Sequence, residues 1–100
     1  QGVSSAAADV YKRQAVGCTI RRFHDHGILH SDLNAANILI QNEKIFLIDF
    51  DKAEMRDPGS WKNANLERLE RSLNKWLRQE KTFHFTTSDW QSLQEGYNAV

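Results

Sequence analysis

Two short apolar runs, Ile38-Leu39-Ile40 and Ile45-Phe46-Leu47-Ile48, stand either side of the polar stretch Gln41-Asn42-Glu43-Lys44. The separation predicts a β-hairpin. A hairpin brings the start of its first strand beside the end of its second. Asn37 opens the first strand and Asp49 closes the second, so the two are expected side by side. Before the hairpin, Val16, Ile20 and Phe23 recur at helical spacing, predicting a helix from Ala15 to His26 that stops at Gly27. After it, Leu66, Leu69, Leu73, Trp76 and Leu77 form one apolar stripe. That stripe predicts a helix over about Asn65 to Glu80, with Asn63 or Asn65 as its cap. Ser88-Asp89-Trp90-Gln91 has the capping-box form and opens a last helix anchored by Trp90, Leu93 and Tyr97.

The remaining stretches read as connections. Gln1 to Ala8 is small and polar, and a disordered leader is expected over residues 1–14, with the packed unit running from 15 to 100. The hexapeptide Asp9-Val10-Tyr11-Lys12-Arg13-Gln14 is similar to one reading frame of a transposon-end adapter used in sequencing libraries. The leader is therefore expected to be translated adapter joined to a truncated gene, the alternative being a natural flexible leader that runs into the next helix. Pro58-Gly59 marks a turn, and Trp61 is expected to anchor the link between hairpin and helix. Lys81 to Thr86 is a connector in which Phe83 and Phe85 alternate. His24 and His26, two apart, face different directions on a helix. They read as solvated helix-end residues rather than a metal pair.

Composition narrows the function classes. One hundred residues make a single small domain. Thirteen basic and thirteen acidic residues balance, so no global field argues for nucleic acid. Cys18 is the lone cysteine and leaves no internal disulfide to form. No apolar run approaches a membrane span.

The chemistry lies in His30-Ser31-Asp32-Leu33-Asn34-Ala35-Ala36-Asn37, of the form H-x-D-L-x-x-x-N, and in the strand end Ile48-Asp49-Phe50-Asp51. Asp32, Asn37 and Asp49 are the candidate site residues. Phosphoryl transfer needs one carboxylate to orient or deprotonate the attacking hydroxyl. It also needs oxygen ligands that hold magnesium on the phosphates. Asp32 suits the first task, Asn37 and Asp49 the second. His30 is expected to be architectural, bonding the loop backbone or packing near Phe50. Leu33 reads as buried support, and Asn34 as a turn residue or a substrate contact. Arg68, Arg71, Lys75 and Arg78 make a basic stripe on the third-quarter helix. It is either a solvated face, with Glu67 and Arg71 paired four residues apart, or a surface for anionic lipid or a phosphorylated saccharide.

His30 to Asn37 with Leu47-Ile48-Asp49-Phe50-Asp51 resembles the catalytic and metal-binding loops of the protein-kinase-like superfamily. Asp32-Leu33-Asn34-Ala35-Ala36-Asn37-Ile38-Leu39, Ile48-Asp49-Phe50-Asp51-Lys52 and the stretch from Asn65 to Lys75 narrow the likeness to the 3-deoxy-D-manno-octulosonic acid (Kdo) kinases. The resemblance implies an α+β fold: a mainly helical carboxy-terminal lobe with a short β-hairpin carrying the metal site. It implies ATP as donor, Mg2+ as cofactor, and a Kdo hydroxyl on a lipid A precursor as acceptor. It also implies peripheral work at the cytoplasmic face of the bacterial inner membrane.

Ser31 stands where many protein kinases carry an arginine for a phosphorylated activation loop, and the segment after Asp51 is short. Both favour a saccharide over a protein acceptor. No glycine-rich phosphate loop and no lysine-bearing strand precede Ala15. Weak binding of magnesium-ATP, an inactive truncated chain and an exposed apolar face are therefore expected. The alternatives are a phosphotransferase of the aminoglycoside or choline type, which the arginine-rich helix disfavours, and a non-catalytic kinase-like binding module.

Overall fold

The computed structural model describes residues 5–42, 44–79 and 85–99, with backbone alone considered for residues 5–9. The elements, in order, are α1 (Ser5–Asp25), β1 (Ile28–Leu29), β2 (Ile38–Gln41), β3 (Lys44–Leu47), β4 (Glu54–Met55), α2 (Trp61–Gln79) and α3 (Thr87–Asn98). One turn of 3-10 helix, Ala35–Asn37, leads into β2. The chain is α+β, as expected. Strands β2 and β3 form the antiparallel hairpin, pairing Ile38 with Leu47 and Gln41 with Lys44. Asn42 occupies its tip with φ at 50°, a left-handed conformation that asparagine tolerates. Strands β1 and β4 make a second, two-residue ladder that pairs Ile28 with Met55.

The core collects Val16 and Ile20 of α1, Leu33 of the loop, Leu66, Leu69 and Leu73 of α2, and Trp90, Leu93 and Tyr97 of α3, with Phe85 beside them. Helices α1 and α3 cross at two glycines. A β-carbon on Gly17 would meet the Leu93 carbonyl oxygen, and one on Gly96 would meet that of Gln14. Backbone therefore packs on backbone there, and any side chain at either position forces the helices apart.

Four expectations change. Helical backbone begins at Ser5, not after a leader ending at Gln14. Three alanines favour it, and no Gly or Pro interrupts residues 5–16. Gln14 lies against Gly96, and Arg13 reaches within 3.9 Å of Asp89. Helix α2 begins at Trp61, so Asn63 and Asn65 sit inside it rather than capping it. The Pro58-Gly59-Ser60 turn delivers the chain directly into the helix, with Ala64 N–H bonding the Ser60 carbonyl. The capping box of α3 uses Thr86 and Asp89, two residues before the expected start. An aspartate reaches back to the cap as a glutamate would. Trp76 and Leu77 lie at the exposed end of the α2 stripe, which buries only Leu66, Leu69 and Leu73. Phe83 lies outside the described residues.

Gly27 ends α1 in the left-handed conformation, φ 75°, as its position suggested. Its carbonyl accepts from Arg56 N–H at 2.7 Å, which starts the β1–β4 ladder. Trp61 anchors its connection: Nε1–H donates to the Asp57 carbonyl at 2.6 Å, and the indole meets the His24 ring edge-on at 5.1 Å. The hairpin leaves Leu39, Ile40, Phe46 and Ile48 exposed. Among the described residues no helix is long and apolar enough to cross a membrane.

Candidate active site

The loop from His30 to Asn37 is held by bonds among its own polar groups and by bonds to the end of the hairpin and to α2. His30 Nε2 bonds the Ile48 carbonyl at 2.8 Å, and His30 Nδ1 bonds Asp32 N–H at 3.2 Å. A carbonyl only accepts and an amide N–H only donates. The proton of a neutral His30 therefore resides on Nε2, and both ring nitrogens are committed to backbone. The imidazole also tilts against Phe50 at 4.7 Å, and Phe50 meets Phe23 at 5.2 Å. His30 is thus the architectural residue the sequence suggested: it ties the loop to the end of the hairpin.

The Asp32 carbonyl accepts from two amides, Asn34 Nδ2 at 3.0 Å and Asn37 Nδ2 at 2.9 Å. Asn34 Oδ1 accepts Ala36 N–H at 2.8 Å and so caps the 3-10 turn. The Ala35 N–H donates to Ser72 Oγ of α2 at 3.0 Å. Leu33 is 1% exposed and plugs the loop into the core. These contacts fix the backbone on both sides of Asp32 while its carboxylate stays accessible.

Asn37 and Asp49 are brought to the same end of the hairpin. Ile48 N–H donates to the Asn37 carbonyl at 2.9 Å, which extends the ladder by one step and leaves Asp49 next in the chain. Asn37 is buried, and its amide nitrogen is committed to the Asp32 carbonyl, so Oδ1 is the end with ligand chemistry. Asp49 is exposed and has φ of 65°. A non-glycine residue held there is uncommon and clusters at functional sites. The turn swings the chain from β3 so that Phe50 can pack between Phe23 and His30. Asn37 and Asp49 offer an amide and a carboxylate oxygen, the hard donors magnesium takes. Among the described residues no cluster of three or more His, Cys, Asp or Glu side chains could hold a metal.

Two features were not visible in the sequence. Arg68 of α2 donates to Asp32 Oδ1 at 3.3 Å. That hydrogen bond, helped by Asn34 and Asn37, holds the Asp32 carboxyl below its usual range. The pair is half exposed on both sides, so its contribution to stability is small. The second is His24, which is 2% exposed rather than solvated. It bonds Tyr97 Oη at 2.6 Å and Asn65 Oδ1 at 2.9 Å, while Asn65 Nδ2 donates to the His30 carbonyl at 2.9 Å. The chain Tyr97–His24–Asn65–His30 thereby joins all three helices to the loop. Ser31 donates its hydroxyl to the Lys52 carbonyl, fastening the segment after Asp51. The expected Glu67–Arg71 pair is not among the ion pairs of the described residues.

Comparison with known proteins agrees with the resemblance. The family model of the lipopolysaccharide kinase (Kdo/WaaP) family matches residues 5–97. A protein of Photobacterium profundum named 3-deoxy-D-manno-octulosonic acid kinase is 44% identical over 84 residues, covering 83% of this chain and 35% of the relative. Relatives of the same name from Vibrio vulnificus and Actinobacillus succinogenes are 42% and 45% identical. These matches cover 95% and 82% of this chain, and 39% and 35% of the respective relatives. The chain thus spans between a third and two-fifths of the curated relatives it matches. With nearly every described residue inside the matched region, the chain belongs to the lipopolysaccharide kinase (Kdo/WaaP) family.

Proposed function

We propose that this chain carries the catalytic loop and metal ligands of an ATP-dependent Kdo kinase with a protein-kinase-like fold. The acceptor in this reading is a Kdo hydroxyl on a lipid A precursor. The observation that carries the reading is the double clamp on the Asp32 carbonyl by Asn34 and Asn37. It couples the candidate base to a candidate metal ligand through one backbone oxygen. Asp32 receives the acceptor hydroxyl as a hydrogen-bond donor and aims its oxygen at the γ-phosphorus. As the new O–P bond forms and the bond to the β-phosphate oxygen breaks, the hydroxyl proton passes to the Asp32 carboxylate and ADP leaves. A carboxylate held below its usual range is a weak base. Its main contribution is therefore orientation, with proton transfer late, when the acceptor oxygen has become acidic.

Asn37 Oδ1 and the Asp49 carboxylate are the groups that would hold magnesium, and the ion would supply charge neutralisation on the phosphates. His30 keeps the two ligand-bearing segments in register by bonding the Ile48 carbonyl on one side and Asp32 N–H on the other. Peripheral association with the cytoplasmic face of the inner membrane follows from a lipid-borne acceptor. The basic stripe on α2 supports it.

The test is transfer of labelled phosphate from ATP to Kdo-lipid A precursor. It compares the 100-residue protein with a chimaera joining residues 5–97 to the remaining sequence of the Photobacterium relative. Transfer by the chimaera, lost in Asp32→Asn, is expected. Transfer to an aminoglycoside or choline, and not to Kdo-lipid, would overturn the acceptor.

A further inference from the structure

Asp32 also borders an open cleft of about 480 Å³ between its loop and α2, lined by Asn34, Arg68, Arg71, Lys75 and Trp76 among others. The charged lining is uneven: three cations face one carboxylate, Asp32. Glu67 and Glu70, which interrupt the basic stripe in sequence, do not line the cleft, and neither does Arg78. Arg68 is shared with Asp32. Arg71 and Lys75 form no ion pair among the described residues. A solvated basic face would spread its cations over a convex surface. Here they converge on a concavity, where walls of low dielectric focus their field on an incoming anion. The planar guanidinium fork of Arg71 matches a carboxylate or phosphate edge.

The spacing relates this charge to the reacting position. Arg68 touches Asp32, and Arg71 and Lys75 follow it by one and two turns on the same side of α2. One turn advances about 5.4 Å, the scale of a single sugar ring. A group gripped by Arg71 therefore belongs to the same residue as the hydroxyl that Asp32 receives, or to its immediate neighbour.

We propose that Arg71 and Lys75, completed by Arg68, form a subsite for an anionic oxygen group of the phosphoryl acceptor, carboxylate or phosphate, next to the hydroxyl Asp32 orients. The assignment rests on the kinase reading and extends it: the subsite makes acidic sugars acceptors and discriminates against neutral ones. Arg71 and Lys75 are specificity residues that touch the substrate and take no part in the proton transfer.

The experiment has a binding arm and a turnover arm. In the first, the isotope-labelled 100-residue protein is titrated with free Kdo, its neutral methyl ester and inorganic phosphate, followed by NMR at the Trp76 indole and the Asn34 amides. Kdo is expected to bind at least fivefold more tightly than the ester. Arg71→Gln/Lys75→Gln, both on exposed positions, is expected to lose at least tenfold. Phosphate that competes with Kdo places the sugar carboxylate in the subsite. Phosphate that binds where Kdo does not assigns the subsite to a phosphate on the glycolipid. Equal binding of Kdo and its ester, with no response to phosphate, overturns the proposal. In the second arm, the same double variant of the chimaera is expected to raise KM for Kdo-lipid A precursor at least tenfold, with kcat changing much less. An unchanged KM in an active chimaera overturns the subsite and leaves the kinase reading standing. A parent chimaera inactive on Kdo, with phosphate binding that still depends on Arg71 and Lys75, overturns the acceptor and leaves the subsite standing.

Discussion

His24 and Asn65, on different helices, share a buried hydrogen bond of 2.9 Å whose direction is fixed by a third residue. Asn65 spends its amide nitrogen on the His30 carbonyl, so its oxygen must accept from His24 Nε2–H. His24 Nδ1 is then an acceptor for the Tyr97 hydroxyl. Every donor in this chain has one acceptor, and the His24 side chain has no room for a second proton without breaking one of the bonds.

Replacing Asn65 with alanine removes the centre of that chain and leaves His24 Nε2–H without its acceptor, while the His30 carbonyl keeps the Leu33 N–H. One orphaned buried group costs about 1–3 kcal/mol. A loss of that order in urea denaturation is expected, together with loosening of the loop that carries Asp32. A loss within the range of ordinary surface substitutions would show that the chain contributes nothing.

The same geometry makes stability depend on pH. Burial pushes the His24 pKa below its ordinary value of 6.5, outweighing its hydrogen bond with Asn65. In the unfolded chain His24 takes up a proton as pH falls through 6.5; in the folded chain it resists until lower pH. The unfolded state binds more protons in that window, so stability is complete above 6.5 and declines as pH falls toward the lowered folded value. Denaturation midpoints measured from pH 7.5 downward should fall in the parent and flatten in His24→Gln. Equal slopes would assign the decline to other groups.

At the site, Asp32→Asn should reduce phosphate transfer by the chimaera by at least a hundredfold with the fold unchanged by circular dichroism. Arg68→Met should act differently. Losing the hydrogen bond that holds the Asp32 carboxyl low lets its pKa rise, so the acid limb of kcat/KM moves to higher pH. An unmoved limb would separate Arg68 from the ionisation of Asp32.

Asp49→Ala should raise the magnesium concentration needed for half-maximal transfer while circular dichroism stays unchanged. An unaltered magnesium requirement would remove Asp49 from the ligand set.

The legibility of this chain follows the distance over which its signals act. The hairpin, the Gly27 stop and the loop motif are local, and a few adjacent residues carry each. The role of His30 was readable because its partners lie in the loop and at the hairpin's end. His24 was not, because a histidine beside a helix end looks solvated until Tyr97 and Asn65 close over it from far along the chain. Asn65 itself looked like a cap, since asparagine signals helix starts more often than buried links. The contact of Arg68 with Asp32 joins positions thirty-six apart and has no local mark. Two overlapping capping-box frames, opening at Thr86 and at Ser88, fit the sequence before α3, and only Thr86 has both reciprocal bonds.

The crossing of α1 and α3 carries a consequence for how the two positions tolerate change. Gly17→Ala or Gly96→Ala alone places a methyl group against a carbonyl of the opposite helix. Each should destabilise by about 1–3 kcal/mol or more. Once either has forced the axes apart, the second methyl enters space already opened, so the double variant should cost clearly less than the two singles added. The two glycines are thus one epistatic unit: a lineage that loses one loses most of the reason to keep the other, and a measured sum of independent costs would refute that coupling.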